Sequence, residues 1–213
     1  MHLRAVIFDY GEVLSKPANQ SIHKELLEIA SLPEDIFEKY YWANRLDYDA
    51  AILNGRTYWE KIAQEAGTEF VPAQIERLIE RDARMWMDID EAMLAWTLQI
   101  KRSGLRTGIL SNMGEDVLRA MRQHFDWLAH FDALIWSCEL GIVKPDPAIY
   151  LDAVQKLGVK PEEALFIDNL EVNVTGAEAA GLHSIVFKNI DQISREVRKR
   201  GLDVPLPQTP VAG

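Results

Sequence analysis

The chain has 213 residues, 48% of them hydrophobic, which is enough for one domain with a large insertion or for two small domains. Its 33 acidic residues against 23 Lys and Arg leave a formal net charge of −10, a sign that opposes nonspecific binding to nucleic acid or to an anionic membrane surface. The single cysteine, Cys138, excludes an internal disulfide and reads as a packing residue.

The N-terminus lacks a signal-peptide pattern and no apolar run approaches the roughly 18 residues of a membrane span, so a cytoplasmic protein is expected. Ala5 to Phe8 is a short apolar run bounded by a turn, the pattern of a buried central strand. It ends on Asp9, where side chains at the carboxyl end of a strand face a ligand crevice; a turn-capping aspartate is the plainer alternative. From Pro17 to about Asp90 the periodicity is helical throughout: Ile22 to Ile29, a helix opened by Pro33, a turn at Asn54-Gly55, a helix from Tyr58 to Ala66, and a longer one from Pro72 towards Trp86. Most aromatics in this stretch, Tyr40, Tyr41, Trp42, Tyr48, Tyr58, Trp59 and Trp86, read as its own core. Arg45 and Arg56, beside turns, are the candidates for substrate contact.

From Asp90 strands alternate with helices, the signature of a doubly wound parallel sheet. A helix over Glu91–Arg102 precedes a strand from Arg106 to Leu110 that ends in Ser111-Asn112. A helix from about Glu115 to His124 leads to a third strand over Ala133–Ser137. The loop 141–147 opens a helix over Ala148–Leu157, Ala164–Ile167 is a fourth strand ending in Asp168-Asn169, and His183–Phe187 is the fifth. A tail carrying Pro205, Pro207 and Pro210 reads as loose. The expected fold is therefore α/β, with a core from 1–16 and 90–213 and an inserted all-helical domain from 17–89.

Singly, Ser111, Asn112 and Asp168 can cap the helices that follow them, and Lys144 can be a solvated loop lysine. Together, an acid at Asp9, a hydroxyl at Ser111, a cation at Lys144 and an acid at Asp168 converge on one sheet edge as phosphoryl transfer requires. Asp9 would attack phosphorus and form an aspartyl phosphate, with Mg2+ screening the charge, Lys144 as a second positive charge, Ser111 as a hydrogen-bond donor, and the amides of Asn112 to Gly114 as anion donors.

The runs Phe8 to Leu14, Leu110-Ser111-Asn112, Gly141 to Tyr150 and Phe166 to Asn169, followed by Asn173 and Gly176-Ala177, resemble in order the four motifs of the haloacid dehalogenase (HAD) superfamily. The helical insertion resembles the α-helical cap of subfamily I, and the short first motif resembles the branch of bacterial sugar-phosphate phosphatases and the soluble epoxide hydrolase phosphatase domain. The resemblance implies a magnesium-dependent phosphatase for a small phosphorylated metabolite. Asp9 would be its nucleophile, Ser111, Asn112 and Lys144 its phosphate contacts, and Asp9, the Gly11 carbonyl, Asp168 and Asn169 its metal ligands. Two positions depart from the pattern. The residue two after the nucleophile is usually a second Asp serving as general acid and base, and here it is Gly11, with Glu12 the nearest replacement in sequence; the usual acidic pair of the fourth motif is Asp168-Asn169. These departures keep open a catalytically impaired, metabolite-binding member, and the superfamily keeps open a metal-independent haloacid dehalogenase. A monomer or homodimer is expected.

Overall fold

The computed structural model describes residues 2–207. β1 (Ala5–Phe8) lies at the centre of a five-stranded parallel sheet, with β2 (Arg106–Ser111) and β3 (Ala133–Trp136) on one side and β4 (Ala164–Asp168) and β5 (His183–Val186) on the other. The register pairs Phe8 with Ile109 on β2 and with Ile167 on β4. All four β1 residues are buried, because both sheet faces are covered and successive side chains point to opposite faces. Val6 and Phe8 pack towards α6 (Glu91–Arg102), α7 (Glu115–His124) and α11 (Ile190–Lys199), with Trp96, Met121 and Val197 in that layer. Ala5 and Ile7 pack towards α9 (Pro147–Leu157) and α10 (Glu171–Ala179), with Tyr150 and Leu157 opposite.

Between β1 and α6 the chain forms five helices: α1 (Gln20–Ala30), α2 (Glu34–Ala43), α3 (Arg45–Asp49), α4 (Gly55–Glu65) and α5 (Pro72–Met85). They have a separate core of Leu26, Phe37, Tyr41, Tyr58, Trp59 and Leu78. Most of the aromatics expected there are buried; Trp42 is 53% exposed. The chain leaves and re-enters the sheet layer side by side, joined by an antiparallel bridge between Ser15 and Ile89, and α5 lies against α7.

Four details differ from the sequence reading. Asn54-Gly55 is a helix start rather than a free turn: the Asn54 side chain accepts the Thr57 N–H at 2.9 Å and caps α4. β3 stops at Trp136, and Ser137 opens the four-residue α8 (Ser137–Leu140) instead of extending the strand. The five-residue α3 was not foreseen. The segment through Pro207 is anchored rather than loose, since Leu202 and Val204 are buried and Trp96 donates its indole N–H to the Pro205 carbonyl at 2.7 Å; Pro210 lies outside the described residues. Among the described residues no helix is long and apolar enough to cross a membrane.

Candidate active site

The strand order places the topological switch between β1 and β4, where an open α/β sheet forms its crevice. Asp9 and Asp168 stand there. The Asp9 N–H donates to the Ile167 carbonyl at 2.8 Å, so the ladder runs one residue past the strand end and fixes the backbone from which the carboxylate projects. Its Oδ1 accepts the Tyr10 N–H at 2.7 Å and the Lys144 ammonium at 2.8 Å. Lys144 is only 2% exposed, which rules out a solvated loop lysine; its Nζ also donates to Asp168 Oδ2 at 2.7 Å and to the Leu110 carbonyl at 3.1 Å. All three ammonium protons are thus used. Asp168 is saturated in turn: Oδ1 accepts the Leu170 N–H at 2.8 Å, and the Asn173 amide reaches Oδ1 at 3.2 Å and Oδ2 at 3.0 Å.

Two carboxylates against one ammonium leave a net negative charge in a buried site. Burial pushes the Asp9 carboxyl up to about 6, against the lowering effect of Lys144, with Asp168 adding to the rise. Burial works against the charged form of Lys144 too, yet Asp9 and Asp168 beside it hold its pKa above the ordinary lysine value.

Ser111 ends β2, buried beside this centre. The amide of Asn112, expected to bind phosphate, is committed elsewhere: Nδ2 donates to the Lys144 carbonyl at 3.0 Å and Oδ1 accepts the Lys144 N–H at 2.8 Å. Its side chain therefore clips the lysine loop to the end of β2. Asp168, expected as a metal ligand, has both oxygens occupied by N–H donors. At the mouth, Asn169 donates its amide N–H to Glu12 Oε2 at 3.1 Å. The carboxylate of Glu12 thus turns to Asn169, and its backbone has a left-handed φ of 57°, with its N–H held by the Ser15 hydroxyl at 3.0 Å.

Above this floor lies a cavity of about 450 Å³ between the inserted helices and the sheet. Its polar base includes Asp9, Ser111, Lys144 and Asn169, while Trp42, Leu46, Trp86, Met113, Val117 and Leu170 make much of the wall. Arg45 and Asp49 border it, whereas Arg56 is exposed on α4 and is not part of the lining. Arg45 is buried, bonded through Nε to Asp49 Oδ1 at 3.1 Å and through one terminal nitrogen to Asp82 at 3.2 Å and to the Tyr41 hydroxyl at 2.7 Å. Burial pushes the Asp49 carboxyl up to about 6 although Arg45 opposes it. Cys138 is half-buried with its thiol pushed up to about 11, first by burial and then by Glu139, consistent with packing rather than reactivity.

Residues 3–181 match a family model described as haloacid dehalogenase-like hydrolase. The chain belongs to that family. This HAD-like hydrolase is 28% identical over 226 residues to bifunctional epoxide hydrolase 2 of Sus scrofa, a match covering 99% of this chain and 40% of the relative. It is 30% identical over 131 residues to a phosphoserine phosphatase of Thermus thermophilus, covering 61% of this chain and 52% of that one. The chain therefore spans two fifths to about half the length of these curated relatives. A HAD family enzyme of Bacteroides thetaiotaomicron, solved with magnesium and inorganic phosphate, shares the fold with a TM-score of 0.70 and 21% identity over 87% of this chain and 94% of that one.

Three connections of this hydrolase lay beyond the sequence reading. Ser137 accepts the Met113 N–H at 2.8 Å and donates to the Asp49 carbonyl at 2.7 Å, so one hydroxyl joins the loop after β2 to the inserted helices. Tyr48 donates to Asp116 Oδ2 on α7 at 2.8 Å. The Arg45–Asp49 pair had a visible signal in its i,i+4 spacing; the other two depend on segments far apart in the chain.

Proposed function

We propose that this HAD-like hydrolase is a magnesium-dependent phosphatase for a small phosphorylated metabolite, with Asp9 as the nucleophile. The observation that supports this reading best is the buried Lys144 ammonium shared by Asp9 and Asp168 on the cavity floor, at 2.8 and 2.7 Å. A phosphate entering above Asp9 meets the positive charge of Lys144 and the Ser111 hydroxyl at the end of β2, while the Met113 amide of the following turn is already held by Ser137. Asp9 Oδ1 is pinned by Lys144 and Tyr10, so its Oδ2 is the oxygen left for attack or for a cation.

Asp9, the Gly11 carbonyl and the Asn169 amide are hard oxygen donors of the kind Mg2+ accepts from proteins, which bind it through one or two carboxylates, water and substrate phosphate. Because Asn169 offers a neutral amide oxygen where the family usually has a carboxylate, the cation is expected to be held weakly and to bind together with phosphate. When bound it supplies charge neutralisation between the carboxylate and the phosphate. Asp168 serves the site by holding Lys144 in place.

The leaving group receives no proton from the position usual in the family, because Gly11 has no side chain. General acid help is worth about 100- to 10,000-fold, so substrates with acidic leaving groups are favoured. The aromatic and aliphatic cavity wall favours the same class, an organic phosphate with an apolar or aromatic group, over a bare sugar phosphate. The inserted helices act as the lid that excludes water. The missing acid also favours a second reading, a binding protein with residual turnover.

Hydrolysis of p-nitrophenyl phosphate and of a panel of alkyl and sugar phosphates, with Mg2+ and with EDTA, separates the two readings. Turnover that requires Mg2+ and is lost in Asp9→Asn is expected. Phosphate binding without turnover above that variant in any condition points to the binding protein, and EDTA-insensitive chloride release from a 2-haloacid points to a dehalogenase.

A further inference from the structure

We infer that Glu12 is a residue of the cation site, supplying there the negative charge that Asn169 lacks and orienting the Asn169 amide; this rests on the magnesium-dependent reading above. The first step is chemical. A carboxylate offers only acceptors, so the amide end that meets Glu12 Oε2 at 3.1 Å is the NH2 of Asn169, and the carbonyl oxygen of Asn169 is left as the free end. Asn169 thus presents an oxygen donor because Glu12 holds its nitrogen.

The second step is electrostatic. Asp168 is closed to a cation by Lys144, Asn173 and the Leu170 N–H, so the usual acidic pair contributes no free carboxylate oxygen. Lys144 cancels one of the two floor carboxylates, leaving a single negative charge to attract a divalent ion. Glu12, at the mouth of the same cavity, raises that to two.

The third step is the backbone. Glu12 adopts φ 57°, a left-handed conformation that a residue with a Cβ takes only where something holds it. The Ser15 hydroxyl at 3.0 Å from its N–H holds this conformation, which sends the side chain to Asn169. Glu12 is therefore a positioning and charge-supplying residue of this site.

Binding of Mn2+, followed by electron paramagnetic resonance and by calorimetry in the presence of inorganic phosphate, tests this on the full chain without any turnover. Glu12→Gln keeps a hydrogen-bond acceptor for Asn169 but removes the charge, and is expected to weaken Mn2+ binding tenfold or more. Adding Asn169→Asp to Glu12→Gln returns the charge to the neighbouring side chain and is expected to recover most of the affinity. Mn2+ binding unchanged in Glu12→Gln, or weakened but not recovered in the double variant, overturns the assignment and leaves the phosphatase reading standing. If the unaltered protein binds no Mn2+ even with phosphate, both this assignment and the metal-dependent reading fall. Glu12 is exposed, so loss of folding is not expected to obscure the result.

Discussion

Lys144 has no water to turn to if its partners are removed, and neither do they. Replacing it with Met leaves Asp9 and Asp168 buried with no cation between them, a loss expected to cost about 3–5 kcal/mol and to abolish turnover; thermal unfolding and p-nitrophenyl phosphate hydrolysis measure the two effects. Gly11 predicts the opposite outcome. A Cβ built there meets nothing nearer than the Trp86 ring at 4.0 Å, so Gly11→Asp fits and is expected to accelerate alkyl phosphate hydrolysis by about 100-fold, with much less effect on aryl phosphates. Asp49 predicts a stability change with pH. Its folded pKa, about 6, lies above the ordinary carboxylate value of 3.8, so the native state binds the extra proton: the stabilisation is full below about pH 4 and is lost as pH rises through 6. Asp49→Asn is expected to flatten that decline, gaining about 1–3 kcal/mol on the unaltered protein at pH 8 and nothing at pH 4, as read from paired melting curves. The convergence of Asp9, Ser111, Lys144 and Asp168 at one sheet edge was legible from sequence because strand ends and one loop announce these positions; their chemical roles belong to the proposal. The clip made by the Asn112 side chain was not legible, because its partner, the Lys144 backbone, lies 32 residues away and no local pattern reports such a contact.

Two glycines let α3 and α4 approach the start of α7. A Cβ on Gly114 would run into the Tyr48 ring, and one on Gly55 into the Asp116 carboxylate, so both glycines are required by close approach. Tyr48 is stacked on Tyr58, with ring centroids 4.8 Å apart, and bonded to Asp116, which makes it the peg between the inserted helices and the sheet layer. Tyr48→Phe keeps the stack and is expected to lose about 1.5–3 kcal/mol in chemical denaturation. Gly114→Ala displaces the Tyr48 ring and with it α3, whose Arg45, Leu46 and Asp49 border the cavity. It is expected to lower kcat/KM by about 100-fold with unchanged helix content by circular dichroism. The long amphipathic helices were readable from their apolar spacing, whereas α3, at five residues, is too short for a 3.6-residue period to register. β3 was overrun by one residue because Ser137 fits a strand end and a helix start equally well.

At the scale of the whole molecule, alternating strands and helices were enough to read the sheet, since each strand is a short apolar run closed by a turn. The closure of the C-terminal segment over α6 was not readable: prolines suggested looseness, and only the assembled core reveals Trp96 reaching Pro205. Truncation after Gly201 removes the buried Leu202 and Val204 and is expected to cost about 3–6 kcal/mol, seen as a lower melting temperature. The Asp9 amide continues the β1–β4 ladder, between strands whose residues are fully buried. In hydrogen–deuterium exchange it belongs with the last protons to be released, those that leave only when the whole domain opens. The inserted helices meet the sheet layer through Tyr48, Ser137, the Ser15–Ile89 bridge and the packing of α5 on α7, and their amides are expected to exchange earlier. Protection at the Asp9 amide and early exchange in the inserted helices would make this carboxylate the fixed point against which the cavity roof shifts.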